Sequence, residues 1–196
     1  MTAVPRNDMP GAPITLIARK EVFRNTVFVV YADHIRDAAG NEVTDYLTVV
    51  PHHRSADGVT GVAILPIQEN QFGLIRIYRH SLGRHCWEVA RGFVDEAETA
   101  VTAALRELAE ETDLIAAAGS LRDLGALAPE PGVLAASVRL FAAEGCARGR
   151  GTSGSEMGHH ELKFFTHGEL IELIDRGEIM DPCTLVCCYK YLRLPA

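Results

Sequence analysis

The feature that most constrains this chain is a loop-to-helix segment that crowds carboxylates onto one stripe. It runs Gly92, five residues, Glu98, seven residues, then Arg106-Glu107-Leu108-Ala109-Glu110-Glu111-Thr112-Asp113-Leu114. Val101, Ala104, Leu105 and Leu108 recur at i, i+3, i+4 and i+7, which predicts a helix with one apolar stripe. Asp95, followed three residues later by Glu98, reads as a capping-box start. Glu107, Glu110 and Glu111 stand at i, i+3 and i+4, and Glu107 and Glu111 lie only about 40° apart around the axis. Like charges at that spacing repel by about 0.2–0.5 kcal/mol per pair. A helix shaped for stability alone would interleave lysines. The glutamate stripe lies beside the apolar stripe, so the carboxylates are expected at the rim of the core, where a cation can be partly desolvated. Oxygen-only ligands suit Mg²⁺ or Mn²⁺ better than Zn²⁺. The plainer alternative is a solvated acidic helix face.

The segment Gly92 to Leu114 resembles the Nudix box, the signature of the Nudix hydrolases. Every charged position of that pattern is matched. One position departs: Asp113 stands where the family has Gly. That glycine ends the helix in a left-handed conformation, which Asp tolerates better than most residues. The resemblance implies that Glu107 and Glu111 are the leading Mg²⁺ ligands, with Glu110 joining through a second ion or a water. It also implies that Arg106 holds a glutamate in place, that Glu98 braces the loop, and that the Arg91 carbonyl is a further metal ligand. Enzymes of this kind cleave a nucleoside diphosphate linked to another moiety, by attack of water on phosphorus.

Beyond the box, Ile75-Arg76-Ile77-Tyr78-Arg79-His80 and Trp87-Glu88-Val89-Ala90-Arg91-Gly92 resemble the strand pair that precedes the box in ADP-ribose pyrophosphatases. Pro129-Glu130-Pro131-Gly132 fits the proline expected after the box in that branch. Arg91 replaces a small residue usual in it. By this resemblance Arg79, Arg91 and Glu88 face the substrate, with Arg79 on a phosphate. The implied reaction is Mg²⁺-dependent cleavage of ADP-ribose, or a similar nucleoside diphosphate sugar, to AMP and a sugar phosphate. Other Nudix substrates (GDP-mannose, NADH, a dinucleoside polyphosphate) and a non-catalytic nucleotide-binding module are the alternatives. Base choice would fall to aromatic partners such as Phe28, Tyr31 and Tyr46.

Water attack needs a base within hydrogen-bond reach. In the resembled branch a glutamate from a loop late in the chain supplies it. Residues 147–160, rich in Gly, Ser and Arg and without periodicity, read as that loop. Glu156 and Glu161 are the candidates, with His159 and His160 as lesser ones.

The net charge of −7 and pI near 5.6 argue against sequence-independent nucleic-acid binding, which rests on basic surface. An anionic substrate needs local positive charge, and Arg76, Arg79, His80, Arg84, His85 and Arg91 offer it just ahead of the acidic helix. Cys86, Cys146, Cys183, Cys187 and Cys188 form no CxxC pair. The first residues, with Arg6, Asp8 and prolines, do not read as a secretory segment, and no apolar run reaches the length of a membrane span. A cytoplasmic enzyme with reduced thiols is expected.

The chain is expected to be of the α/β (α+β) class. Residues 1–13, with three prolines, should be loose. Residues 14–36 and 43–51 read as strands about a turn at Ala38-Ala39-Gly40-Asn41, giving an antiparallel β extension over residues 1–55. The resemblance makes this extension a dimerisation and substrate-recognition element, so a homodimer is expected. Residues 56–196 would form the Nudix domain, an α/β/α sandwich with a mixed sheet. Its further strands are expected at 59–67, 72–78, 125–128, 137–143 and 161–165, and its late helices at 169–176 and 183–193.

Overall fold

The computed structural model describes residues 12–149, 151 and 157–194. Most of the stretch expected to be loose at the start, and Glu156, lie outside these residues.

The chain begins with a separate antiparallel sheet of β1 (Ile14–Arg24), β2 (Phe28–Asp37) and β3 (Glu42–Pro51). A larger mixed sheet follows, built from β4 (Gly61–Gln68), β5 (Gln71–Arg79), β6 (Arg84–Glu88), β7 (Ala90–Phe93), β9 (Leu121–Leu127), β10 (Val138–Glu144) and β12 (His159–Phe165). Its main order is β12-β5-β4-β10-β9, with β6 added on β5 and β7 on β4. β10 runs parallel to β4, and the other pairings are antiparallel. Three helices flank this sheet: α1 (Ala100–Thr112), α2 (His167–Asp175) and α3 (Pro182–Leu192). The short strands β8 (Leu114–Ile115) and β11 (Ala147–Arg148) pair with each other. Two-residue strands carry no readable period, so β11 was hidden in a stretch that reads as loop.

Alternation along β4 builds the sandwich. Ala63, Leu65 and Ile67 face the core shared with Leu170 and Leu173 of α2 and Cys183, Cys187 and Cys188 of α3. Val62 and Ile64 face the opposite core, with Ala103, Ala104 and Leu108 of α1. Both faces are covered, so β4 reads as a continuous apolar run. The five thiols are buried and free, and burial pushes those of Cys183 and Cys188 up to about 11 and about 12.

The box helix starts later than its sequence suggests. Thr99 is the N-cap and forms the capping box with Thr102. The Glu98 carboxylate does accept the Asp95 N–H at 3.0 Å, but this closes a turn ahead of the helix, one that puts Ala97 at φ 65°. Val101, expected on the buried stripe, is 38% exposed. Ala103, Ala104, Glu107, Leu108 and Glu111 are the buried face.

The small sheet meets the domain at β3. Val49 donates its N–H to the Val133 carbonyl at 2.8 Å and accepts the Ala135 N–H at 2.9 Å, so Leu134 runs parallel beside it. The Tyr46 hydroxyl donates to the Gly132 carbonyl and Arg54 to that of Ala135. Elsewhere this sheet leaves Val22, Phe23 and Leu47 about half exposed.

Candidate active site

The end of β7 and the inner face of α1 form one wall of a cleft of about 810 Å³. Two glycines allow the close approach. A Cβ on Gly61 would lie 2.9 Å from the Gly92 carbonyl oxygen, and one on Gly92 would lie 2.0 Å from Glu107 Oε1. The Glu107 carboxylate therefore rests on the bare β7 backbone. Next to it, the Arg91 backbone N–H donates to Glu111 Oε2 at 2.9 Å. Glu107 and Glu111 are 8% and 5% exposed, deeper than the rim position expected for them. The Glu110 side chain is about half exposed and lies at the rim.

Arg106 is the hub of this wall. It donates to both Glu98 oxygens at 3.1 and 3.0 Å, to Glu107 Oε1 at 2.7 Å, to Glu110 Oε2 at 3.1 Å and to the Phe93 carbonyl at 3.0 Å. Its hydrogen bonds to Glu98 raise its already high pKa, and the same bonds lower that of Glu98. In this conformation Arg106 bridges Glu107 and Glu110. Among the described residues no three Asp, Glu, His or Cys side chains converge as a metal-holding group.

Arg79 and Arg91 also line the cleft, Arg91 from β7 itself. Glu88 lies beneath them, 2% exposed. It accepts Arg79 in a fork at 3.0 and 2.7 Å and Arg91 Nε at 3.0 Å. A second buried carboxylate, Asp181, pairs with Arg91 at 2.9 Å. Burial opposes the Arg91 charge, but Asp181 and Glu88 outweigh it and raise its pKa. Arg76, His80, Arg84 and His85 are exposed and lie outside the cleft lining.

Phe28 of β2 and Phe93 of β7 meet edge to face, with centroids 5.5 Å apart, and both line the cleft. Of the three aromatics expected to sort bases, Phe28 alone is on that lining: Tyr31 lies under Arg19 and Tyr46 holds Gly132. Glu161 stands on β12, 3.9 Å from Arg76, and is not among the lining residues. The backbone of His159 and His160 opens β12.

Asp113 adopts the left-handed conformation of the glycine it replaces, φ 54° and ψ 28°, and ends α1 with its N–H on the Ala109 carbonyl. Its carboxylate also accepts the Gly151 N–H at 2.9 Å, and its carbonyl that of Gly149 at 2.6 Å.

Residues 58–184 match the NUDIX domain family. The chain belongs to the Nudix family. It is 31% identical to an ADP-ribose pyrophosphatase of Mycobacterium tuberculosis (strain ATCC 25618 / H37Rv) over 172 residues, which are 84% of this chain and 76% of that protein. A shorter match, 41% identity over 66 residues, covers 33% of the chain and 30% of a putative nudix hydrolase 2 of Caenorhabditis elegans. The fold is similar to a crystal structure of an ADP compounds hydrolase. That match has a TM-score of 0.75 at 19% identity and covers 91% of this chain and 92% of the other. The protein is thus a Nudix hydrolase, ADP-ribose pyrophosphatase-like, with the α/β/α sandwich of that fold. No helix among the described residues is long and apolar enough to cross a membrane.

The cleft and the residues that support it include some that the sequence did not single out. Asp181 is one, although Asp-Pro ahead of an apolar run is a recognisable helix start. Its contact with Arg91 had no local signal. Gly61 and Phe93 are others, since they act through strand register rather than through a motif.

Proposed function

We propose that this Nudix hydrolase cleaves the diphosphate of ADP-ribose, or a similar nucleoside diphosphate sugar, with Mg²⁺ or Mn²⁺, to AMP and a sugar phosphate. The observation that carries the reading is one cleft lined by the box glutamates, by Arg79 and Arg91, and by an aromatic pair.

The donor chemistry fits a hard divalent ion. Glu107, Glu110, Glu111 and the Arg91 carbonyl would offer oxygen alone, and the bare Cα of Gly92 leaves room for the Glu107 carboxylate. Such an ion supplies charge neutralisation at the diphosphate and lowers the pKa of a bound water. Arg79, oriented by its fork on buried Glu88 and lining the cleft, would bring its positive charge to a phosphate oxygen. Arg106 spreads its charge over Glu98, Glu107 and Glu110, limiting their mutual repulsion until substrate arrives. We assign proton removal from water to Glu110, the box carboxylate most open to the cleft, with Glu156 and Glu161 as the rival bases. Phe28 and Phe93 give the base a flat apolar surface.

The match to an ADP-ribose pyrophosphatase and the ADP compounds hydrolase fold support this substrate class. The half-exposed apolar residues of β1 and β3, Val22, Phe23 and Leu47, support a homodimer through the extension of residues 1–55, with 56–196 as the catalytic domain. Light scattering tests it, and a clean monomer excludes it. Five free, buried thiols support a reducing, cytoplasmic setting.

The deciding experiment is AMP release from ADP-ribose with Mg²⁺, beside GDP-mannose and NADH, with Glu111→Gln as control. AMP from ADP-ribose, lost in the variant, upholds the reading. Turnover of another compound alone replaces the substrate and keeps the site.

A further inference from the structure

Between β6 and β7 the chain changes partner, from β5 to β4, and Val89 lies between the two ladders. Its N–H is taken by Thr184 Oγ1 at 3.0 Å, from the first turn of α3. The Thr184 hydroxyl donates onward to Asp181 Oδ2 at 2.7 Å, and the Thr184 backbone N–H donates to the same oxygen at 2.8 Å. The other oxygen of Asp181 holds the Arg91 guanidinium. The start of α3 therefore clamps the strand change at two points.

Arg91 links this clamp to the acidic wall. Its side chain binds Asp181 and Glu88, while its backbone N–H binds Glu111. Glu88 in turn forks Arg79. One contact thus reaches two cleft residues by separate routes: Asp181 to Arg91 to Glu111, and Asp181 to Arg91 to Glu88 to Arg79. Two partly buried arginines meet two buried carboxylates, so removing one carboxylate leaves positive charge less compensated and free to move toward water.

We propose that Asp181 is a positioning residue for hydrolysis. It sets Arg91 so that the β7 backbone meets Glu111 and so that Glu88 stays forked on Arg79. The inference rests on the hydrolase reading of this cleft. Asp181 is not among the residues that line the cleft and acts through Arg91, so its effect belongs in kcat and in ion binding rather than in KM.

Asp181 is also the N-cap of α3. Asn and Ser cap helices about as well as Asp, but neither brings a negative charge to Arg91. The test compares the full chain with Asp181→Asn, Asp181→Ser and, as a control for losing a helix cap, Thr166→Ala at the start of α2. The readouts are kcat and KM on ADP-ribose with Mg²⁺, thermal midpoint, and Mn²⁺ binding by electron paramagnetic resonance without substrate. Both Asp181 variants should lower kcat by about tenfold or more, with KM within about threefold. They should weaken Mn²⁺ binding by about threefold or more, through the loosened Arg91 contact to Glu111. Thr166→Ala should lower the thermal midpoint alone. An Asp181 variant with kcat and Mn²⁺ binding both within about twofold of the unaltered protein overturns the proposal. If the unaltered protein turns over no substrate, the hydrolysis reading fails, and Mn²⁺ binding alone still decides the role of Asp181. Should neither variant fold, Arg91→Lys, which keeps the charge and breaks the fork, takes their place under the same criteria.

Discussion

The Glu107 carboxylate packs on the Cα of Gly92, so closely that a Cβ there would sit 2.0 Å from Oε1. The box glycine is required for space rather than for an unusual backbone angle. Gly92→Ala should push Glu107 off the strand and lower kcat by about a hundredfold, the scale of a misplacement near 1 Å. Circular dichroism should show the fold intact. Activity within a few-fold of the unaltered enzyme would mean that the helix can shift to accommodate the methyl group.

Glu111 receives the Arg91 N–H and Glu110 faces the cleft opening, so the two should fail differently. Glu111→Gln should lower kcat by about a thousandfold and weaken Mn²⁺ binding, as loss of a metal ligand does. Glu110→Gln should lower kcat with Mn²⁺ binding changed less. Glu161→Gln, paired with Arg76 away from the cleft, should stay within about threefold, and a larger loss than for Glu110→Gln would transfer the base role to it.

Glu98 and Arg106 make a pH-dependent brace. The hydrogen bonds from Arg106 hold the folded pKa of Glu98 below its ordinary value. A carboxylate with a depressed folded pKa stabilises the protein above its unfolded pKa, about 4.3, and the contribution is lost as pH falls through the folded value. Glu98→Gln should therefore cost about 1–2 kcal/mol near neutral pH, the range of a charged hydrogen bond. The gap between variant and unaltered protein should close below about pH 4, and denaturant titrations at both pH values check this. A gap that persists in acid would assign the effect to shape rather than charge.

At Asp113 the left-handed backbone and the bond to the Gly151 N–H act together. Asp113→Ala loses that bond and meets the full left-handed penalty, so it should destabilise by about 1–2 kcal/mol. Asp113→Gly loses the bond but relieves the backbone, so it should cost less than half as much. Equal losses in thermal unfolding would refute this division.

Phe28 reaches the cleft from the N-terminal sheet. Phe28→Ala should raise KM for a purine substrate by about three- to tenfold with kcat within twofold. A change in kcat with KM unmoved would place the base elsewhere.

Much of this was legible because the box is local. Spacing alone put Glu107 and Glu111 on one helical stripe, and the strands around β4 and β5 announced themselves by apolar runs. Asp at position 113 is a residue type that tolerates the left-handed region, and its backbone adopts it. The helix start is hard to read because Asp95 and Glu98 also close a turn, while Thr99 and Thr102 make the cap. Val101 fitted the apolar period yet faces solvent, since Glu107 and Glu111 occupy the buried stripe in its stead. Asp181 is legible only as a helix start: its pairing with Arg91 is a tertiary contact, which leaves no spacing in the chain.

The joint at Val49 has a different consequence. β3 grips residues 133–135, beside Leu134 and Ala136 of the cleft wall, through main-chain atoms. Such a seam is indifferent to side-chain identity. Leu134 or Ala136 can therefore change its side chain, and with it the shape of the cleft, while the two parts of the protein stay fastened.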